Sequence, residues 1–130
     1  MKICLDTSAY SRFKRGAVAA IEVIRSARLV GIPAIVLGEL RTGFRLGRRR
    51  AENEKELALV LANPVVRVWE VDDACSQHYA ALVCALRRAG TPLPTNDIWI
   101  AALARREGAT VVTYDRHFER IESIGTMVLG

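Results

Sequence analysis

The chain has 130 residues, of which 51% are hydrophobic and 25% charged, and its formal net charge is +5. This length and composition predict one globular domain over residues 1–130 and exclude a disordered chain. No apolar run reaches the roughly 18 residues that a membrane helix needs, and the opening residues lack a signal-peptide pattern. We therefore expect a cytoplasmic protein that does not enter a membrane.

The first half of the chain alternates short apolar strands with helices. In order, the pattern predicts the strand "KICL" ending at Asp6, helices over "TSAYSRF" and "AVAAIEVIRSA", the strand "RLVGI", a helix through "AIVLGELRTGF" and a helix over 49–62. Pro33 suits the first position of the third helix, because it lacks the backbone N–H that a helix start leaves unpaired.

The second half continues the alternation. It predicts the strand "VVRVWEV", a long helix capped by Asp72 or Asp73 and closed by Gly90, a helix within "TNDIWIAALA" that ends at Gly108, the strand "ATVVTY", a helical turn "DRHFERI" and the strand "TMVL". Thr95 or Asn96 is the expected cap of the helix that ends at Gly108. Strands alternating with helices indicate an α/β fold, a three-layer α/β/α sandwich around a central, mainly parallel sheet.

The three cysteines do not suggest a disulfide framework or a zinc site. Their number is odd and no CxxC spacing occurs among Cys4, Cys75 and Cys84. We expect all three to be small buried core residues.

A basic cluster lies within "RTGFRLGRRR". Such a cluster can contact phosphates, but it is equally compatible with a solvated helix surface. Glu52, Glu54 and Glu56 follow at once and favour the second interpretation, since they neutralise much of the charge. The cluster consists of Arg41, Arg45, Arg48, Arg49 and Arg50.

Two aspartates follow predicted strands. Asp6 comes directly after "KICL" and Asp115 directly after "TVVTY". In open α/β sheets, ligands bind at the carboxyl ends of the strands, so both positions are candidates for a site. The alternative is that each only caps a helix or stabilises a turn.

Glu39 is harder to explain structurally. Its helical face carries the residues at i−4, i−3, i+4 and i+7, which are apolar or glycine: Ile35, Val36, Gly43 and Leu46. No lysine or arginine occupies i±3 or i±4, so no local ion pair is predicted. A charge on a buried stripe is costly unless it is paired or binds a metal, which favours a functional role.

Asp97 shows the same conflict. The helix dipole favours an acidic residue in a first turn. However, Asp97 shares its face with Ile100, Ala101, Ala104 and Gly108, a stripe suited to packing on the sheet. The dipole accounts for the position of Asp97 along the helix but not for its inward direction.

Four converging carboxylates would repel one another, and a hard divalent cation would remove that conflict. His78 and His117 are too isolated to suggest zinc, and the sequence contains no glycine-rich phosphate loop, GxSxG turn or Cys–His pair. A carboxylate site for Mg²⁺ or Mn²⁺ beside a basic surface best serves phosphodiester hydrolysis by a metal-activated water.

The motifs "LDTS", "GEL", "LPTNDIWIAA" and "TYDRHF", in this order, resemble those of PIN-domain ribonucleases, and most closely the VapC toxins of type II toxin–antitoxin pairs. The resemblance implies that four carboxylates hold Mg²⁺ or Mn²⁺, with Asp6 and Asp97 as the most direct ligands. Glu39 and Asp115 would help to bind metal or to orient the attacking water. The residues expected to support these ligands are Thr7, Ser8, Asn96 and Thr113.

The resemblance also implies partners. It predicts an endoribonuclease that cuts tRNA or ribosomal RNA and leaves 3′-hydroxyl and 5′-phosphate ends. It further predicts a homodimer that is silenced by a VapB-type antitoxin covering the acidic groove. The Arg41–Arg50 cluster would then contact RNA, the antitoxin or both.

Two other functions remain open at this point. A phosphatase could use Asp6 as nucleophile, but it would need a second aspartate two residues later, where this chain has Ser8. A non-catalytic RNA-binding or partner-binding module of the same fold would use the carboxylates only to stabilise loops.

Overall fold

A computed structural model describes residues 1–130, and a sheet of five parallel strands lies at its centre. The predicted elements and fold class are confirmed. The elements are β1 (Lys2–Leu5), α1 (Thr7–Lys14), α2 (Val18–Ser26), β2 (Leu29–Pro33), α3 (Ala34–Leu46), α4 (Arg50–Leu61), β3 (Val66–Trp69), α5 (Asp73–Ala89), α6 (Thr95–Glu107), β4 (Thr110–Thr113), a 3-10 helix (Arg116–Arg120) and β5 (Gly125–Val128).

The strand order is β3-β2-β1-β4-β5, so the chain starts in the middle strand and reverses direction once. It passes outward through β2 to β3, and α5 and α6 then carry it back to β4 on the other side of β1. Right-handed crossovers place α1 to α4 on one face of the sheet and α5 and α6 on the other. The reversal between β1 and β4 opens a crevice at the carboxyl ends of these strands.

The central strands are buried on both faces, which explains why they are apolar throughout. Ile3, Cys4 and Val112 are all 0% exposed. At one edge the ring of Trp69 lies across β2, where a Cβ atom added to Gly31 would come within 2.2 Å of it. Glycine is therefore required at position 31.

The prediction of three buried cysteines was wrong for one of them. Cys4 and Cys75 are buried, but Cys84 is exposed. The buried face of α5 is formed by Cys75, Leu82 and Leu86. Cys84 lies two residues beyond Leu82, about 200° around the helix, and so faces solvent.

Two predicted helix starts had different outcomes. Asp72 caps α5, its side chain accepting a hydrogen bond of 2.9 Å from the Cys75 backbone N–H. The predicted cap of α6 by Thr95 or Asn96 was wrong, because the helix begins at Thr95 itself and its cap position is Pro94, without a side-chain hydrogen bond. Both residues already lie in the first turn, which leaves their side chains free for other contacts.

None of the helices combines the length and the apolar character needed to span a membrane.

Candidate active site

The four acidic residues lie at the carboxyl edge of the sheet. Asp6 directly follows β1 and Asp115 follows the end of β4, while Glu39 lies in the second turn of α3 and Asp97 in the first turn of α6. Because all five strands are parallel, these segments meet at one edge. The charges of Asp115, Glu39 and Asp6 each raise the pKa of Asp97, so each of these carboxylates lies within electrostatic range of Asp97.

Asp6 is the most constrained of the four and is 5% exposed. It caps α1 through a 2.8 Å hydrogen bond from the Ala9 backbone N–H to Oδ1, and Ser8 Oγ donates to the same oxygen at 2.7 Å. Thr113 Oγ1 donates to Oδ2. A carboxylate offers about four lone-pair directions, so one remains free on Asp6.

Burial raises the pKa of Asp6 above its ordinary value, although the hydrogen bonds from Thr113, Ala9 and Ser8 oppose this effect. The neighbouring charge of Asp115 adds to the increase. Desolvation therefore outweighs three donors, and the buried anion still lacks a compensating positive charge.

Two hydroxyl groups join the ends of β1 and β4. Thr113 Oγ1 accepts a 2.9 Å hydrogen bond from the Asp115 backbone N–H while donating to Asp6. Ser8 Oγ accepts one of 3.0 Å from the Tyr114 backbone N–H and also donates to Asp6. Each hydroxyl donates its single hydrogen bond to Asp6, and the two bonds fix the orientation of that carboxylate.

Glu39 is held by residues from two other elements. Thr7 Oγ1 donates to its Oε1 at 2.6 Å, and Asn96 Nδ2 lies 3.5 Å from Oε2. Asn96 is free to do so because it does not cap α6. Glu39 thus links α1, α3 and α6.

The predicted buried stripe around Glu39 was wrong for its second half. Gly43 is exposed and Leu46 is 85% exposed, whereas Val36 is buried as predicted and shares the buried face of α3 with Leu37 and Leu40. Glu39 lies beside this face and is half-buried. It contacts Thr7 at the start of α1 and Asn96 at the start of α6.

Asp97 is half-buried, and Ile100, Ala101 and Ala104 behind it are buried as predicted, whereas Gly108 at the end of the predicted stripe is exposed. Burial is the main cause that raises its pKa to about 6, followed by the charges of the other three carboxylates, while His117 has a small opposing effect. No protein group donates a hydrogen bond to the Asp97 side chain and no cation pairs with it. Of the four carboxylates, Asp97 is therefore the one whose negative charge is least balanced by hydrogen-bond donors or cations of the protein.

Asp115 is accompanied by a histidine that the sequence did not identify as part of the site. Asp115 Oδ1 accepts a 2.9 Å hydrogen bond from the His117 backbone N–H and lies 2.9 Å from His117 Nδ1. An aspartate that bonds to the backbone two residues later brings that residue close to it. This turn pattern was the available signal for His117.

The donor set fits a hard divalent cation in its chemistry. Every candidate donor is a carboxylate oxygen, the type of ligand that Mg²⁺ and Mn²⁺ prefer. Asp97 has no partner, and Asp6 keeps one free lone-pair direction. As they stand, no three acidic, histidine or cysteine side chains come close enough together to share an ion.

The Arg41–Arg50 cluster is exposed throughout and lies mostly at the far end of α3 from Glu39. Arg41 Nε pairs with Glu54 at 3.1 Å, and Arg49 pairs with Glu52. The other three arginines have no acidic partner. An open groove of about 660 Å³ beside Glu39 is lined by the first turns of α3 and by Asn96.

The fold and this acidic edge define a PIN domain: the family model described as "PIN domain" matches residues 3–124, and the chain belongs to that family. Ribonuclease VapC11 of Mycobacterium tuberculosis is 37% identical over 131 residues, which covers 94% of this chain and 92% of the relative. Within the PIN family, this chain is one of the VapC group.

Solved structures agree with this assignment. The DNA-bound VapBC structure from Salmonella typhimurium matches with a TM-score of 0.85 at 27% identity, covering 98% of this chain and 97% of the other. VapBC2 from Rickettsia felis, bound to a DNA fragment from its promoter, matches with a TM-score of 0.82 at 26% identity, covering 98% of each chain.

Proposed function

We propose that this protein, working as a single PIN domain, is the toxin of a type II toxin–antitoxin pair and a metal-dependent endoribonuclease. The observation that carries the proposal is the placement of four carboxylates at one edge of the sheet, of which Asp97 has a raised pKa and no partner. The ribonuclease name of the VapC11 relative supports RNA as the substrate. A tRNA or a ribosomal RNA, cut in the cytoplasm, is the proposed target.

The proposed roles follow from how each carboxylate is held. Asp6 and Asp97 would bind the cation directly, since Asp6 is fixed with one free lone-pair direction and Asp97 accepts no hydrogen bond. Glu39 has one oxygen engaged by Thr7 and the other 3.5 Å from Asn96, and Asp115 has one oxygen engaged by His117. The lone pairs that remain on these two carboxylates would help to bind metal or to orient water.

When bound, a divalent cation would neutralise the acidic edge and lower the pKa of water enough for attack on phosphorus. The protein's own contribution is positional. Thr113 and Ser8 hold Asp6, Thr7 holds Glu39, and the buried stripe of α6 holds Asp97 at the edge of the sheet. Such fixed groups lower the cost of reorganising the site during the reaction.

The proposed partners come from the toxin–antitoxin assignment. The two VapBC matches support an antitoxin as partner. In this proposal a VapB-type antitoxin covers the acidic groove and the toxin forms a homodimer. The three unpaired arginines of the Arg41–Arg50 cluster are free to contact RNA phosphates or an acidic segment of the antitoxin.

Purified protein freed of antitoxin is expected to cleave tRNA or ribosomal RNA in the presence of Mg²⁺ or Mn²⁺. EDTA should abolish cleavage, and an excess of either metal should restore it, because the attacking water is activated by the metal. Gel analysis of the RNA measures both. Cleavage that continues at the same rate in EDTA would exclude the proposed metal centre.

In cells, expression of the chain alone is expected to stop growth, and coexpression of the upstream neighbouring gene should relieve the arrest if that gene encodes the antitoxin. If cells grow normally while they contain abundant folded protein, the toxin assignment is wrong. The nuclease assignment is then decided separately, by the cleavage assay.

A further inference from the structure

Arg12 lies beside the site and has no acidic partner. It is exposed on α1, and its guanidinium carbon is 4.9 Å from the centroid of the Tyr114 ring. An arginine held over an aromatic face keeps its charge, and its N–H donors remain available for an anion such as a phosphate. This differs from Arg41 and Arg49, whose donors already bond to glutamates.

Arg12 and Tyr114 are connected to Asp6 through Ser8. Ser8 donates to Asp6 and accepts from the backbone N–H of Tyr114. Arg12 is four residues after Ser8 and so lies on the same side of α1, about 6 Å farther along the axis. Long side chains on a helix point back towards its amino end, which here is the end at the site.

Tyr114 is suited to holding this arginine in place. It is half-buried, with its hydroxyl oxygen buried and without a hydrogen-bond partner. The ring is therefore anchored by packing, and its face rather than its hydroxyl group makes the contact with Arg12.

We propose that Arg12, positioned by the ring of Tyr114, binds a backbone phosphate of the RNA next to the one that is cleaved. This inference rests on the proposed ribonuclease function and specifies which residue holds the substrate strand. A polyanion entering an edge with four carboxylates needs a nearby cation. Arg12 is an unpaired cation over the ring of Tyr114, whose backbone N–H bonds to the same Ser8 hydroxyl that donates to Asp6. RNA carries one negative charge at every nucleotide, so one phosphate can lie at the acidic edge while the next contacts Arg12, which makes RNA the favoured ligand.

The test is the binding of a labelled single-stranded oligoribonucleotide, measured by fluorescence anisotropy in EDTA over a range of salt concentrations. Arg12→Ala should weaken binding about tenfold, the expected loss of a charged hydrogen-bonding contact. For Arg12→Ala, the slope of log affinity against log salt concentration should be smaller in magnitude by about 0.7, the value for one phosphate contact on a single strand.

Arg28→Ala is the matched control. Arg28 is also exposed and unpaired, but it immediately precedes β2 and lies at the opposite, amino edge of the parallel sheet. Arg28→Ala should bind and cleave RNA like the wild type. If Arg12→Ala binds RNA as tightly as Arg28→Ala, the proposal is overturned.

The positioning role of Tyr114 is tested by two substitutions. Tyr114→Leu removes the aromatic face and should weaken RNA binding about as much as Arg12→Ala. Tyr114→Phe keeps the face and should restore most of the affinity. Equal binding by the two Tyr114 variants would exclude the cation–π arrangement as the reason for the affinity.

Two further outcomes separate this inference from the proposed function. If Arg12→Ala lowers affinity for the antitoxin but not for RNA, Arg12 belongs to the protein interface and the inference is wrong. If RNA binding depends on Arg12 although the wild-type protein cleaves no RNA with any metal, the inference stands and the nuclease proposal fails.

Discussion

Asp97→Asn is expected to lower the rate of RNA cleavage by about a thousandfold while the protein remains folded. Removing one charged ligand weakens both the binding of metal and its placement, and losses of this size are typical when a group that stabilises developing charge is removed. Initial rates of cleavage with saturating Mg²⁺ measure the effect. Thermal melting in EDTA checks the fold and should show no loss of stability.

Asp73→Asn provides a matched control for this substitution. Asp73 also lies in the first turn of a helix, α5, but it is exposed and contacts none of the four carboxylates. Loss of its interaction with the helix dipole should cost well under about 1 kcal/mol and leave cleavage unchanged. If Asp97→Asn cleaves RNA as fast as Asp73→Asn, Asp97 is not part of the catalytic site.

Without metal, the wild-type protein should lose stability relative to Asp97→Asn as the pH rises through about 6. The pKa of Asp97 is raised above the value of about 3.9 in an unfolded chain, so the folded state binds this proton more tightly. Its contribution to stability is therefore complete below about pH 4 and is lost as the pH rises through about 6.

The expected difference at neutral pH is about 1 kcal/mol, or about 3–5 °C in Tm. This is less than the full shift in pKa would give, because Asp97 is half-exposed and solvent screens its charge. Asp6 also has a raised pKa, but it is present in both proteins and cancels in the comparison. Parallel pH profiles of Tm for the two proteins would contradict the proposed repulsion.

Added Mg²⁺ or Mn²⁺ should reverse this loss at neutral pH. A ligand that binds only the folded state at about a hundred times its Kd stabilises it by about 2.7 kcal/mol. The wild type and Asp73→Asn should both gain several degrees in Tm, and Asp97→Asn should gain much less. An equal gain in all three proteins would place the metal elsewhere.

The fold and the acidic residues could be predicted from local sequence features. Buried parallel strands are apolar throughout, and residues after such strands lie at one edge, which identified Asp6 and Asp115. Glu39 was selected although the stripe proposed around it proved to be exposed at Gly43 and Leu46. Helical periodicity gives the direction of a side chain, but not how far neighbouring elements cover the helix.

The contacts that complete the site could not be predicted in this way. Thr113 and Asp6 are 107 residues apart, and Arg12 and Tyr114 meet only because α1 packs beside the end of β4. Such pairs depend on tertiary packing. The spacing of apolar residues along a strand or a helix, with its period of 2 or 3.6 residues, does not report that packing. The predicted cap of α6 was also wrong. Thr95 and Asn96 are both residue types that cap helices, and their succession does not show at which residue the helix begins.

The chemistry of the RNA ends produced by the purified protein is the most direct test of a carboxylate–metal nuclease. Hydrolysis by water should leave a 5′-phosphate and a 3′-hydroxyl, which ligation-dependent sequencing and phosphatase sensitivity both detect. It should stop in EDTA and in Asp97→Asn but not in Asp73→Asn. Ends that carry a 2′,3′-cyclic phosphate and a 5′-hydroxyl would show attack by the RNA's own 2′-hydroxyl and would contradict this mechanism.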